Sequence, residues 1–130
     1  MTIIAILVAA IASFAGGAAW YMTLSKQWLE ASEVPTGPDG APLNSGPTPH
    51  VVSFVAQLLV AIMLRHILEA GDVESVFGSA LSGFGVGLFF IAPWLAMNYA
   101  YSARKPKLIV LDGGYAILGP TIIGFVLGLF

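Results

Sequence analysis

Ile3–Met22 reads IIAILVAAIASFAGGAAWYM, 20 consecutive residues without a charge, and this stretch decides the fold. A helix of about 20 apolar residues crosses the roughly 30 Å hydrocarbon core of a bilayer. The segment therefore predicts a membrane span. No Lys or Arg precedes Lys26, and a cleaved secretory signal needs a basic start, so the span is expected to be retained. The rest of the chain has the same character. Of 130 residues, 58% are apolar and 9% charged, against roughly 25% charged in soluble domains. A soluble fold of this size leaves about a third of its chain surface in water and cannot hide that excess.

Three more spans are expected. From Val51, 14 uncharged residues precede Arg65. That length is short, but the helix reaches spanning length through Leu68 if Arg65 snorkels or pairs with Glu69 one turn on. Between Glu74 and Arg104 lie 29 uncharged residues, enough for a tilted third helix in which Pro93 predicts a kink. A fourth runs from Leu108 with one charge, Asp112, and one proline, Pro120. The predicted fold is an all-α, single-domain, four-helix membrane bundle with helices near 3–23, 51–69, 74–102 and 108–129. Between the first two, residues 24–50 contain Pro35, Pro38, Pro42, Pro47 and Pro49, and a proline inside a helix costs about 3 kcal/mol. They read as a long Pro-rich aqueous loop, with Leu24–Ala31 as an interfacial segment.

Cations in short connections set orientation. Lys26 follows the first span, and Arg104, Lys105 and Lys107 join the last two, whereas the opposite turn is acidic with Asp72 and Glu74. The positive face is expected to be cytoplasmic, which places both termini outside. Small residues recur at spacing four: Ala12 and Gly16, Ser13 and Gly17, Gly78 and Ser82, Gly83 and Gly87, Gly124 and Gly128. Lipid gives no hydrophobic gain to helix association, so close backbone approach must supply the packing energy. These pairs are read as contacts within the chain.

Particular residues then carry a resemblance. Gly17-Ala18-Ala19-Trp20-Tyr21 closes the first span and Lys26-Gln27-Trp28 follows. Asn98-Tyr99 leads through Lys105-Pro106-Lys107 to Gly113-Gly114-Tyr115. In order and spacing this resembles the DUF1761 family of small bacterial membrane proteins. The resemblance covers most of the chain outside the loop and implies a four-helix fold and no particular reaction. Asp112 stands where the family pattern more often has Asn, and the Pro-rich loop is unusually long.

The predicted topology gathers the polar residues at the cytoplasmic end: Trp20, Tyr21, His50, Asn98, Tyr99, Lys107, Asp112 and Tyr115. Asp112 is the most informative, because a carboxylate in a span costs up to roughly 3 kcal/mol and takes a partner. Lys107, Arg104, Asn98, His50 and the tyrosine hydroxyls are all in reach. The simplest expectation is a helix-start carboxylate favoured by the helix dipole and paired with Lys107; the functional alternative is a binding or proton site. Trp20, Tyr21, Trp28, Tyr99 and Tyr101 fit an aromatic belt at the headgroups, and Arg65 and His66 an ion-pair group on the other face.

Several function classes are disfavoured. The net charge of −2 supplies no basic patch for nucleic acid. His50 and His66 are separated by a spanning helix, so no metal site is expected. No cysteine is present and no nucleophile elbow occurs, so neither an enzyme nor a cofactor is expected. Gly83-Phe84-Gly85-Val86-Gly87 sits inside an apolar span and not after a strand, which makes it a packing element and not a phosphate loop. The expected partners are the lipid bilayer and either other membrane subunits or further copies of the chain. The leading expectation is an accessory or scaffolding subunit in the bacterial inner membrane. The alternative is a small oligomeric transporter or channel with Asp112 as its polar site. A topology reporter fused after Phe130 should report the non-cytoplasmic side, and a cytoplasmic readout would reverse the orientation.

Overall fold

The computed structural model describes residues 2–130, and all its regular elements are helices. In order they are α1 (Thr2–Thr23), α2 (Ser25–Ser32), α3 (Thr48–Ala70), α4 (Val76–Val86), a π-helical turn (Gly87–Ile91), α5 (Ala92–Tyr101) and α6 (Pro106–Gly128). Four of these units are long and apolar enough to cross a membrane: α1, α3, α6 and the continuous Val76–Tyr101. Their outer faces are apolar, with Ile3, Phe77, Phe89 and Val110 each more than 70% exposed.

The prolines explain where the helices deviate from expectation. Residues 24–50 are not one loop, because Ser25–Ser32 is helical and the non-helical stretch is 33–47. Pro49 lies in the first turn of α3 and Pro106 opens α6, positions where the missing N–H would have had no helical partner. A proline thus excludes a helix interior but not a helix start, and α3 begins at Thr48, ahead of the expected Val51. Within 33–47 the chain folds back on itself. Leu43 N–H donates to the Pro35 carbonyl at 2.8 Å, and Gly37 N–H to the Ala41 carbonyl at 2.9 Å. Gly40 takes the left-handed conformation of the turn, at φ 80°. Pro93 lacks the N–H that would bond the Phe89 carbonyl, and the preceding turn widens to π geometry, with Ala92 N–H reaching the Gly87 carbonyl. Proline and π-turns are the usual causes of such irregularity.

α6 is the central helix and touches every other element. Glycines bring α4 and the π-turn against it. A Cβ at Gly83 would collide with the Pro120 carbonyl, one at Gly124 with that of Ser79, and one at Gly87 would lie 2.5 Å from the Ala116 oxygen. Pro120 cannot donate to Ala116, so the carbonyl that it leaves free in α6 is the one the Gly87 backbone covers. On the other flank Gly17 accommodates the Tyr115 ring and Gly114 that of Trp20. Gly17, Gly83, Gly87 and Gly124, all members of the spaced pairs, make contacts within the chain, and Gly114, outside those pairs, does so too. The apolar core joins Ala5, Ala9 and Ala10 of α1, Ala61, Leu64 and Leu68 of α3, and Ile123 and Leu127 of α6. It occupies the end of the bundle where α1 begins and α6 finishes, which leaves the opposite end to polar side chains.

Gly83→Ala and Gly124→Ala each force a methyl into neighbouring backbone, and each should destabilise the bundle by about 1–3 kcal/mol. Nothing lies within 4 Å of a Cβ at Gly85, so Gly85→Ala should be neutral or mildly stabilising. Reversible unfolding in detergent micelles distinguishes the three variants.

Candidate functional site

Asp112 is the seventh residue of α6, about 9 Å along the axis from Pro106 at 1.5 Å per residue. Three helices send neutral donors to it. Tyr21 of α1 donates to Oδ1 at 2.8 Å, Trp28 Nε1 of α2 to the same oxygen at 3.0 Å, and Tyr99 of α5 to Oδ2 at 2.7 Å. Both carboxylate oxygens are engaged without a cation. The expected pairing with Lys107 is not formed. Lys107 is exposed at the rim, and the ion pair present among the described residues is Arg65–Glu69, at 2.9 Å, on the opposite end. The reason is geometric: Lys107 points outward from the first turn of α6, while the face of α6 that carries Asp112 is covered by aromatic rings of three other helices.

α2 is fastened by both of its sides. Ala31 packs with Leu108 and Leu111, joined by Leu24, Trp28 and Tyr99. At its C-terminal end, Arg104 Nη2 donates to the Ser32 carbonyl at 2.5 Å and Lys105 Nζ to the Glu30 carbonyl at 3.3 Å. Cations there satisfy carbonyls that have no partner in the helix and oppose its negative dipole end. The Arg104 guanidinium also lies 5.6 Å from the centroid of the Tyr99 ring, so one short α5–α6 connection holds α2 and the tyrosine that reaches Asp112.

A second polar group lies deeper. The Tyr115 hydroxyl is 2.6 Å from the Ser13 carbonyl and 2.7 Å from Gln57 Oε1. Ser13 Oγ donates to Gln57 Oε1 at 2.5 Å, with the Gly119 carbonyl at 3.2 Å, and Gln57 Nε2 donates to Ser53 Oγ at 2.9 Å. The Tyr21 ring stands edge-on to Tyr115, centroids 5.5 Å apart, and to Trp28 at 6.1 Å. The two polar groups are therefore joined by an aromatic contact, the Tyr21 ring against that of Tyr115, and not by a hydrogen bond.

Of the eight residues assembled from the sequence, the structure brings together Tyr21, Tyr99 and Asp112, with Tyr115 against Tyr21. Trp20 is adjacent, and its Nε1 donates to the Leu111 carbonyl at 3.1 Å. His50, Asn98 and Lys107 stay outside. His50 is exposed with its ring 6.5 Å from that of Phe14, and the exposed Asn98 contributes its backbone carbonyl to Ser102. Sequence reasoning placed Trp28 in the aromatic belt and the family pattern and Ser13 in small-residue packing, neither in the site, and it passed over Gln57. A polar amide seven residues into the uncharged stretch from Val51 to Leu64 was the available signal.

The chain belongs to the family described as protein of unknown function (DUF1761), whose model matches residues 4–128. No curated protein and no solved structure matches it. The residues that carry the family resemblance are largely those in mutual contact at this end: Gly17 with Tyr115, Trp20 with Gly114, and Tyr21, Trp28 and Tyr99 around the α6 carboxylate.

Trp28→Phe removes one donor to Asp112, and hydrogen bonds to charged groups contribute about 1.5–3 kcal/mol. In a double-mutant cycle with Asp112→Asn the pair should couple by at least about 1 kcal/mol, and amides of α2 should exchange faster in Trp28→Phe. Zero coupling with unchanged exchange would mean that the indole does not hold α2.

Proposed function

We propose that this member of the family is a non-enzymatic, multi-pass subunit of the bacterial inner membrane, packing as an accessory or scaffolding component against a larger membrane complex. In this reading both termini lie on the non-cytoplasmic side, and residues 33–47 form a Pro-rich loop on the cytoplasmic side. The observation that carries it is the division of the side chains. The polar groups of the spans are directed at one another, while Phe77, Phe89, Phe90 and Trp94, each at least 67% exposed, stand on the outer surface of one span. The π-turn supports this, because it presents Phe89 and Phe90 side by side beside Trp94. Aromatic residues are enriched where protein surfaces meet. Such a surface offers packing, and the polar residues that would otherwise serve chemistry are engaged in holding the bundle. Native purification in a mild detergent should recover the tagged chain with a stoichiometric, unrelated membrane subunit. Phe89→Ala combined with Trp94→Ala should reduce that recovery several-fold. Recovery of a stable chain alone, or with copies of itself only, would overturn the reading.

A second reading, a small oligomeric transporter or channel, is favoured by one observation: Asp112 has three neutral donors and no cation. A carboxylate in a span that lacks a counter-charge is a common location for a coupling proton or cation. Under this reading, Asp112→Asn abolishes ion or proton flux into liposomes containing the chain. Unchanged flux would remove Asp112 from that role.

A further inference from the structure

The donors around Asp112 are divided unequally between its two oxygens. Oδ1 accepts from the Tyr21 hydroxyl at 2.8 Å and from Trp28 Nε1 at 3.0 Å, whereas Oδ2 accepts from the Tyr99 hydroxyl at 2.7 Å. The two kinds of donor differ chemically. An indole N–H only donates, while a phenol hydroxyl donates or accepts by turning about its C–O bond. A proton added to Oδ1 meets an indole N–H that has no lone pair to receive it. A proton added to Oδ2 meets one neighbour, and that neighbour becomes its acceptor once the Tyr99 hydroxyl has turned. One torsion changes, and Tyr21 and Trp28 keep their bonds to Oδ1.

The position of Tyr99 supplies a route. It lies two residues before the end of α5, and its carbonyl accepts the Arg104 N–H at 2.9 Å, so its ring stands beside the connection to α6. The Tyr21 ring is instead enclosed by Tyr115 and Trp28, at centroid distances of 5.5 and 6.1 Å. A metal cation fits the same place poorly. Hard cations take several oxygen ligands at once, and no group of three His, Cys, Asp or Glu residues among those described could hold an ion. Trp28 also directs a hydrogen, not a lone pair, at Oδ1.

We infer that the species Asp112 takes up is a proton, that Oδ2 holds it and that Tyr99 delivers it. The inference rests on the reading of Asp112 as the polar site of a transporter or channel, and it names what that site takes up. In the uptake step the Tyr99 oxygen receives a proton from the side of the α5–α6 connection as its own hydroxyl proton passes to Oδ2. Tyr99 is neutral before and after, and the carboxylate becomes a carboxylic acid. The titratable groups facing the carboxylate are Tyr21 of α1 and Tyr99 of α5. Tyr115 of α6 stands behind Tyr21, and Arg104 lies 5.6 Å from the Tyr99 ring centroid. Lys26 and Glu30 of α2 and Lys107 of α6 are exposed.

The test is infrared difference spectroscopy, acid minus alkaline, on the full-length chain in nanodiscs. The expected result is a C=O band of a protonated carboxyl that appears on acidification and is lost in Asp112→Asn. Its midpoint is the same in sodium, potassium and choline chloride at equal ionic strength. In heavy water the band shifts as the proton exchanges. Tyr99→Phe should slow that shift at least about tenfold more than Tyr21→Phe, a modest figure for a positioned proton donor. Should Tyr99→Phe fail to fold, ring-labelled tyrosine in the unsubstituted chain reads the same step, because one phenol C–O band must move from donor to acceptor position with the carboxyl band. Absence of the carboxyl band, a midpoint that moves with the metal cation, equal exchange in the two variants, or unchanged tyrosine bands would each overturn the inference. Liposome flux separates it from the reading it rests on: flux that Asp112→Asn leaves unchanged removes the transport role, while the carboxyl band still supports the proton site.

Discussion

A carboxylate about two turns inside a helix long and apolar enough to span a membrane is costly to leave unpartnered, by up to roughly 3 kcal/mol at the bilayer centre and less near its surface, and partners from elsewhere in the chain offset that cost. In this protein those partners are Tyr21, Trp28 and Tyr99, and the rest of that end follows from them. Tyr21 fixes the rotation of α1 about its axis. Trp28 draws the short α2 against α6, together with Ala31 packed on Leu108 and Leu111. Tyr99 sets where α5 must end, so the connection that follows delivers Arg104 and Lys105 to the last carbonyls of α2. One anionic group thereby orders four helix ends.

That arrangement requires a central helix that others can approach closely, and α6 has that property for two reasons. Its own glycines at 114 and 124 admit Trp20 and the α4 backbone, and the glycines of its partners at 17, 83 and 87 admit Tyr115 and the α6 backbone. Pro120 belongs to the same scheme. It releases the Ala116 carbonyl from the helix, and the Gly87 backbone lies where that oxygen is exposed. The polar and apolar ends of the bundle are therefore stabilised differently: hydrogen-bonded aromatics around Asp112 at one, and Ala, Leu and Ile packing around Ile123 and Leu127 at the other.

Much of this fold was legible in the chain before any coordinates. Span number, span length and the role of the spaced glycines follow from hydrophobic runs and from the absence of a hydrophobic drive between helices in lipid. Arg65 was read as either snorkelling or pairing with Glu69, and of these the pairing is formed, as two residues one turn apart on one helix allow. The first turn of a helix needs no N–H, so Pro49 lies inside α3 and not in the loop, and the segment expected at the interface, Leu24–Ala31, is largely the helix Ser25–Ser32. The site was legible in part. Tyr21, Tyr99 and Asp112 share a membrane depth, which sequence position gives. Depth also grouped His50, Asn98 and Lys107, which face outward.

Sequence alone determined that the chain has four helices long and apolar enough to span a membrane and that Tyr21, Tyr99 and Asp112 share a depth, because both depend on one-dimensional quantities: the length of apolar runs and the distance along a helix. It could not determine which groups at that depth meet, because this depends on the rotation of each helix about its axis, and helices with apolar residues on all sides give no periodic signal for that angle. The tertiary structure decided it through close approach at glycine and through the geometry of hydrogen bonds to a single carboxylate. Asp112 is accordingly held by two tyrosines and a tryptophan, and the nearest lysine in the sequence remains at the rim.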